Sequence, residues 1–213
     1  MRLYLSSFRL GNDTKTLLKL LGGRTRAAVI TNADDYKTGS DRLASFERER
    51  GDLGSLCLAP VELDLRNFFG KGQQLRRHLE RSDLVWVRGG NPFILRRAMR
   101  ASGADTAILD LLAADEIVYG GYSAGSCMMT PSLRGIELVD DPNDVPEGYD
   151  PEVIWDALGI LPYHLLPHFR SDHPESPLID KSLEYMIGHH LPFIALRDGQ
   201  ALVRDGADEF VAG

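Results

Sequence analysis

The residues best placed to do chemistry are Gly121-Tyr122-Ser123-Ala124-Gly125. Ile117 to Tyr119, rich in β-formers, leads into them, and an apolar segment ending before Pro131 leads out. The expected structure is strand, sharp turn, helix, with Ser123 at the apex, the G-x-S-x-G pattern of a nucleophile elbow. Such a turn holds its serine in a sparsely allowed backbone region, and side chains two positions either side would collide with it. Free N–H groups at the start of the helix, with its dipole, suit an oxyanion. The pentapeptide arises by chance in roughly one chain in ten of this length. A plain strand–helix turn therefore competes, and partners elsewhere must decide.

A serine hydroxyl needs a base within hydrogen-bond reach, and a third group to orient that base. Six histidines are available. His78 sits among charged residues on a helix, His189 and His190 follow Gly188 at a helix end, and His173 before Pro174 reads as structural. His164 and His168 remain, in Leu161-Pro-Tyr-His-Leu-Leu-Pro-His-Phe-Arg170. Leu165-Leu166 is a short buried-strand signal, and Pro167 places His168 where that strand leaves its sheet. A packed strand-end histidine is the bland alternative. For the acid, Phe193 to Leu196 reads as a strand and Arg197-Asp198-Gly199 as its turn into Gln200 to Val203. Asp198-Gly199 fits a plain type I′ hairpin equally well, and Asp140 and Asp141 compete for the role.

Four motifs together, Gly-Tyr-Ser-Ala-Gly-Ser at 121–126, Gly-Gly-Asn-Pro-Phe at 89–93, Leu-Pro-His-Phe at 166–169 and Leu-Arg-Asp-Gly at 196–199, resemble the peptidase E (aspartyl dipeptidase, S51) family. That family includes cyanophycinases, and its fold is similar to class I glutamine amidotransferases. The resemblance implies Ser123 as nucleophile, His168 as base and Asp198 as acid, where the dipeptidase has glutamate. It also implies oxyanion donors from the backbone N–H groups of Gly90 and Ala124, with Asn91 among the substrate-binding residues. The chain order Ser…His…Asp differs from that of α/β-hydrolases.

One departure bears on specificity. The family's substrate arginine lies in a Gly-Glu-Thr-Arg stretch downstream of the histidine. Here that region reads Ser171-Asp172-His173-Pro174-Glu175-Ser176-Pro177. Arg170 is adjacent but outside the motif. Asp172 and Glu175 suit the α-amino group of a short peptide better than an aspartate side chain. The expectation is a serine peptidase of dipeptides or short peptides without strict Asp-X preference. Alternatives are an amidotransferase-like hydrolase of another small acyl or amide substrate, against which a serine at the elbow counts, and a catalytically silent binding module.

The elements that must position these residues alternate between strand-like and helix-like. Leu3–Ser6, Arg26–Thr31, Asp83–Val87 and Ile117 onward read as strands; Asp13–Leu21, Asp41–Arg50, Gln73–Arg81, Phe93–Arg100 and Thr106–Ala114 read as helices. Gly51 is expected to stop the second helix, and Gly54–Leu65 to hold a further strand or two around Pro60. The fold class is α/β, a doubly wound, mostly parallel sheet with helices on both faces, and 213 residues suffice for a single domain spanning 1–213. Ligands of such sheets bind at the carboxyl ends of strands. Asp140–Asp150 is expected to be a loop covering part of that edge.

Hydrophobic residues at 43% and charged residues at 26% are ordinary globular values. The net charge of −7 disfavours a nucleic-acid surface. Arg76-Arg77 and Arg96, Arg97 and Arg100 read as solvated helix faces. Two cysteines, Cys57 and Cys127, without C-x-x-C spacing support neither a disulfide scaffold nor a thiolate metal site; a small buried thiol is the default at Cys127. No cofactor and no metal are expected. No apolar run approaches the roughly 20 residues of a membrane span, and Met1-Arg2-Leu3-Tyr4-Leu5 opens no signal peptide. The expected setting is the cytoplasm and the expected partner a small peptide substrate, with no nucleic acid and no membrane; a homodimer is compatible with the sequence.

Overall fold

Strands that are apolar at every position need cover on both faces, and the computed structural model, which describes residues 1–213, supplies it. The elements run β1 (Arg2–Ser6), α1 (Thr14–Leu21), β2 (Arg26–Ile30), α2 (Gly39–Ser55), β3 (Ala59–Glu62), α3 (Gly72–Leu79), β4 (Leu84–Val87), α4 (Pro92–Ser102), α5 (Ala104–Ala113), β5 (Val118–Tyr122), α6 (Ala124–Cys127), β6 (His164–Leu166), α7 (Ser176–Gly188), β7 (Phe193–Ala195), β8 (Ala201–Asp205) and β9 (Asp208–Ala212). The seven-stranded sheet has the order β3-β2-β4-β5-β1-β8-β9. Its first five strands are parallel, and β8 and β9 add antiparallel. This is the α/β class the alternation predicts.

Alternate residues divide between two cores. Leu3, Leu5, Ile30, Val85 and Val87 join the larger one with α4 and α5, while Tyr4, Val29, Leu84 and Trp86 join the smaller one with α1. Local chemistry sets the helix ends. Asp13 caps α1 and Gly22 ends it in the left-handed conformation; Asn91 caps α4, with Pro92 as its first residue.

Several expectations differ from the structure. Helix α2 runs through Gly51 to Ser55, because Glu49 and Leu53 are buried and tertiary packing outweighs the cost of glycine. Only β3 follows it, an edge strand, where Pro60 is tolerated. Arg96 and Arg97 are not solvated. Both are buried, Arg96 donating to the carbonyl of Asp156 and Arg97 to those of Pro142, Pro151 and Glu152, so they fasten the long segment after the elbow. The plain hairpin that competed for Asp198-Gly199 does not form. Strand β7 pairs with β6 in a separate two-stranded parallel sheet, while β8 crosses to pair with β1. The helix after the elbow is a single turn, too short for an appreciable dipole. No helix is long and apolar enough to cross a membrane.

Candidate active site

Strand β5 ends against β4, and the glycines of the elbow are the price of that closeness. A Cβ on Gly121 would stand 2.6 Å from the Val87 carbonyl oxygen, and one on Gly125 only 2.2 Å from it. Between them Ser123 adopts φ 49° and ψ −117°, a conformation costly for a residue with a Cβ. Its N–H is held by the carbonyls of Ser6 and Ser7 at the end of β1, at 3.3 and 3.2 Å. The Ser126 hydroxyl, donating to the Ser6 carbonyl at 2.8 Å, fixes the turn from the other side.

Two neighbouring strand exits bring the partners. His168, just past β6, also has positive φ (60°) and is 1% exposed. Its Nδ1 lies 2.8 Å from Asp198 Oδ1. The same oxygen accepts the Ser7 hydroxyl at 2.7 Å, and Ser7 Oγ in turn accepts the His168 N–H at 2.7 Å. The Asp198 N–H donates to Ser171 Oγ at 2.8 Å. Ser7 thus touches all three groups: its carbonyl takes the Ser123 N–H and its hydroxyl joins the backbone of His168 to the carboxylate of Asp198. Bonding of Nδ1 to a carboxylate puts the proton on that nitrogen and leaves the Nε2 lone pair free.

Ser123 and His168 line one cavity of about 260 Å³ with Phe8, Asp34, Tyr36, Lys37, Arg48, Arg88, Gly89, Gly90, Tyr122, His173 and Glu175. Gly90 has φ 138°, and a Cβ there would meet the Ala33 carbonyl at 2.7 Å. Neither its N–H nor that of Ala124 donates to a carbonyl within the protein. Glu175 and His173 stand near the imidazole, with the His173 ring stacked on it at 3.7 Å. Asn91, Arg170 and Asp172 do not line the cavity. Asn91 is occupied by its cap and by the Asp141 carbonyl, whereas Arg170 and Asp172 are exposed.

Charge around the cavity is largely paired. Arg88 forms an ion pair with Asp34 at 2.8 Å and donates to the Tyr122 hydroxyl at 2.9 Å. Tyr122 and the Trp86 indole both donate to Glu49, which is fully buried. Burial pushes the Glu49 carboxyl above its ordinary range. Lys37 reaches Asp34 at 3.0 Å. Arg48 lines the cavity without a carboxylate partner. Asp140, in the loop offered as a rival source of the acid, is pushed up to about 8 by burial and by the charges of Glu175 and Asp144. It makes no bond to the imidazole. Cys127, buried under the elbow, is pushed up to about 12, as an inert thiol would be.

Burial, and then the neighbouring His173, hold the His168 imidazole below the usual histidine range; Asp198 opposes them. The neutral form, which alone can accept a proton, therefore persists to lower pH than in a free histidine. In a pH profile of kcat/KM the acid limb is expected to have its midpoint below the ordinary value of 6.5. A midpoint above 6.5 would mean that Asp198 outweighs burial.

Ser7 carries no signal in the sequence, since a serine after Ser6 at a strand end belongs to no catalytic motif. His173, expected to be structural, lines the cavity and stacks on His168. Ser7, just past β1, meets His168 and Asp198 where β6 and β7 end, and His173 lies five positions beyond His168 in the turn that follows it.

The profile of peptidase family S51 matches residues 45–211. The chain belongs to peptidase family S51. By family it is a serine-type peptidase, similar to an uncharacterised peptidase of Listeria innocua (31% identity, over 78% of this chain and 75% of that one). It is equally similar to a peptidase E of Streptomyces coelicolor (31% identity, over 74% of this chain and 62% of that one). The crystal structure of a Listeria monocytogenes protein assigned as a peptidase E superposes with a TM-score of 0.80 at 22% identity, covering 99% of this chain and 97% of that one. This likeness is one of fold and covers nearly the whole length.

Proposed function

We propose that this S51 peptidase hydrolyses dipeptides or short peptides through Ser123, His168 and Asp198, within one α/β domain spanning residues 1–213. The observation that carries the reading is the Nδ1–Asp198 bond of an imidazole that shares its cavity with a serine in an elbow conformation. Ser123 Oγ attacks the scissile carbonyl as its proton passes to His168 Nε2. The tetrahedral oxyanion is met by the N–H groups of Gly90 and Ala124. The imidazolium then protonates the leaving amine, and water, activated by the same nitrogen, releases the acyl group. Asp198 keeps the proton on Nδ1 in the resting state and stabilises the imidazolium.

The cavity supports short substrates with both termini free. Glu175 faces it on the His168 side and suits an α-ammonium, and Arg48 suits a terminal carboxylate. Arg88, a candidate for recognising an N-terminal aspartate, already has its charge met by Asp34. The reading places the enzyme in the cytoplasm with no nucleic-acid or membrane partner. Across dipeptides differing only in the first residue, kcat/KM for Asp-X is expected to stay within tenfold of that for neutral and apolar residues. A larger preference for Asp would contradict this specificity and point to Arg48 as the recognising cation.

A further inference from the structure

The group that should accept the serine's proton is also a metal donor, and two further donors stand beside it. Glu175 Oε2 lies 4.0 Å from His168 Nε2 and 3.9 Å from His173 Nδ1, and one donor atom from each of the three residues falls within 4.8 Å of the others. We infer that His168, His173 and Glu175 form a site for a divalent transition cation of the zinc class, and that filling it switches the peptidase off.

The donor set is two imidazole nitrogens and one carboxylate oxygen, which zinc takes with a fourth position left to water. His168 is already oriented as a metal-bound histidine would be. Its Nδ1–H is held by Asp198 at 2.8 Å, which points the Nε2 lone pair into the cavity and raises its basicity. Bonds of about 2.0–2.1 Å in a tetrahedron put donors roughly 3.4 Å apart, so the three atoms must draw together by about an ångström. The movement falls on the two partly exposed members, His173 at 19% and Glu175 at 38%. The His173 ring now lies parallel to His168, 9° between planes, and must turn about its side-chain torsions to aim a nitrogen at the shared point. It gives up its stack on His168 and the long 3.3 Å bond from the Glu175 N–H to Nδ1. Phe8, edge-on to both imidazoles, walls the other side. Once Nε2 is bound to the cation its lone pair cannot take the Ser123 proton. The inhibition, unlike the binding, rests on His168 being the base.

Zinc chloride is titrated into the full-length protein in competition with a chromophoric zinc chelator, and in parallel into a peptidase assay. One zinc per chain is expected, at micromolar dissociation constant or tighter, with activity lost over the same range. His173→Phe, which keeps a ring against His168, and Glu175→Gln should each weaken binding tenfold or more, while Ser123→Ala should leave it unchanged. Each variant's inhibition is read relative to its own metal-free rate, and a thermal melt reports its folding. No binding to the wild type, or wild-type affinity in both ligand variants, would overturn the site. Binding with the expected losses but no inhibition would support the site and overturn its inhibitory effect, together with His168 as the base.

Discussion

Ser123→Ala is expected to lower kcat by about 10⁴–10⁶-fold, the range seen when a triad loses its nucleophile, while the protein melts within a few degrees of the wild type. The side chain removed carries no structural bond: the elbow is held by the Ser123 N–H to β1, by Ser126, and by the contact of Gly121 and Gly125 with Val87, none of which involves Oγ. Loss of rate without loss of fold is therefore the signature. Retention of more than a few per cent of the activity would place the nucleophile elsewhere.

Asp198→Asn is expected to lower kcat by about 10²–10⁴-fold with little change in KM. Asp198 Oδ1 accepts from both His168 Nδ1 and the Ser7 hydroxyl. An amide there can turn its NH₂ toward Nδ1, which drives the imidazole proton onto Nε2, the nitrogen that must be free to receive the serine's proton. Asp140→Asn is the matched control and should stay within a few-fold of the wild type, since the imidazole's acidic neighbours are Asp198 and Glu175 and not Asp140. If the control lost more activity than Asp198→Asn, the orienting acid would come from the loop after the elbow.

How much of this was legible in the sequence depends on the range of the interaction. The elbow was legible because its glycines answer a local steric demand, written as spacing. The exits of β6 and β7 were legible as short apolar runs ended by Pro167 and by Asp198-Gly199. Their pairing was not, since the alternation that marks a strand says nothing about its neighbour; β7 joins β6, and β8 joins β1 instead of folding back as a hairpin. Gly51 misled for a related reason: the burial of Glu49 against Trp86 and Tyr122 carries α2 past it. Arg96 and Arg97 resembled a solvated face because the carbonyls that bind them lie some 45 to 60 positions along the chain. Ser7 could not be found by pattern at all, because the site groups it joins, at Ser123, His168 and Asp198, come from three other segments.

The central claim is that Ser123 is the nucleophile, activated in place by its neighbours. The most direct measurement is labelling with a serine-directed fluorophosphonate, read by intact mass, on the wild type, Ser123→Ala and His168→Ala. One phosphonyl group per wild-type chain is expected, with none on Ser123→Ala and far slower labelling of His168→Ala. A label of equal extent on Ser123→Ala, or no label on a wild type that hydrolyses peptides, would contradict the account.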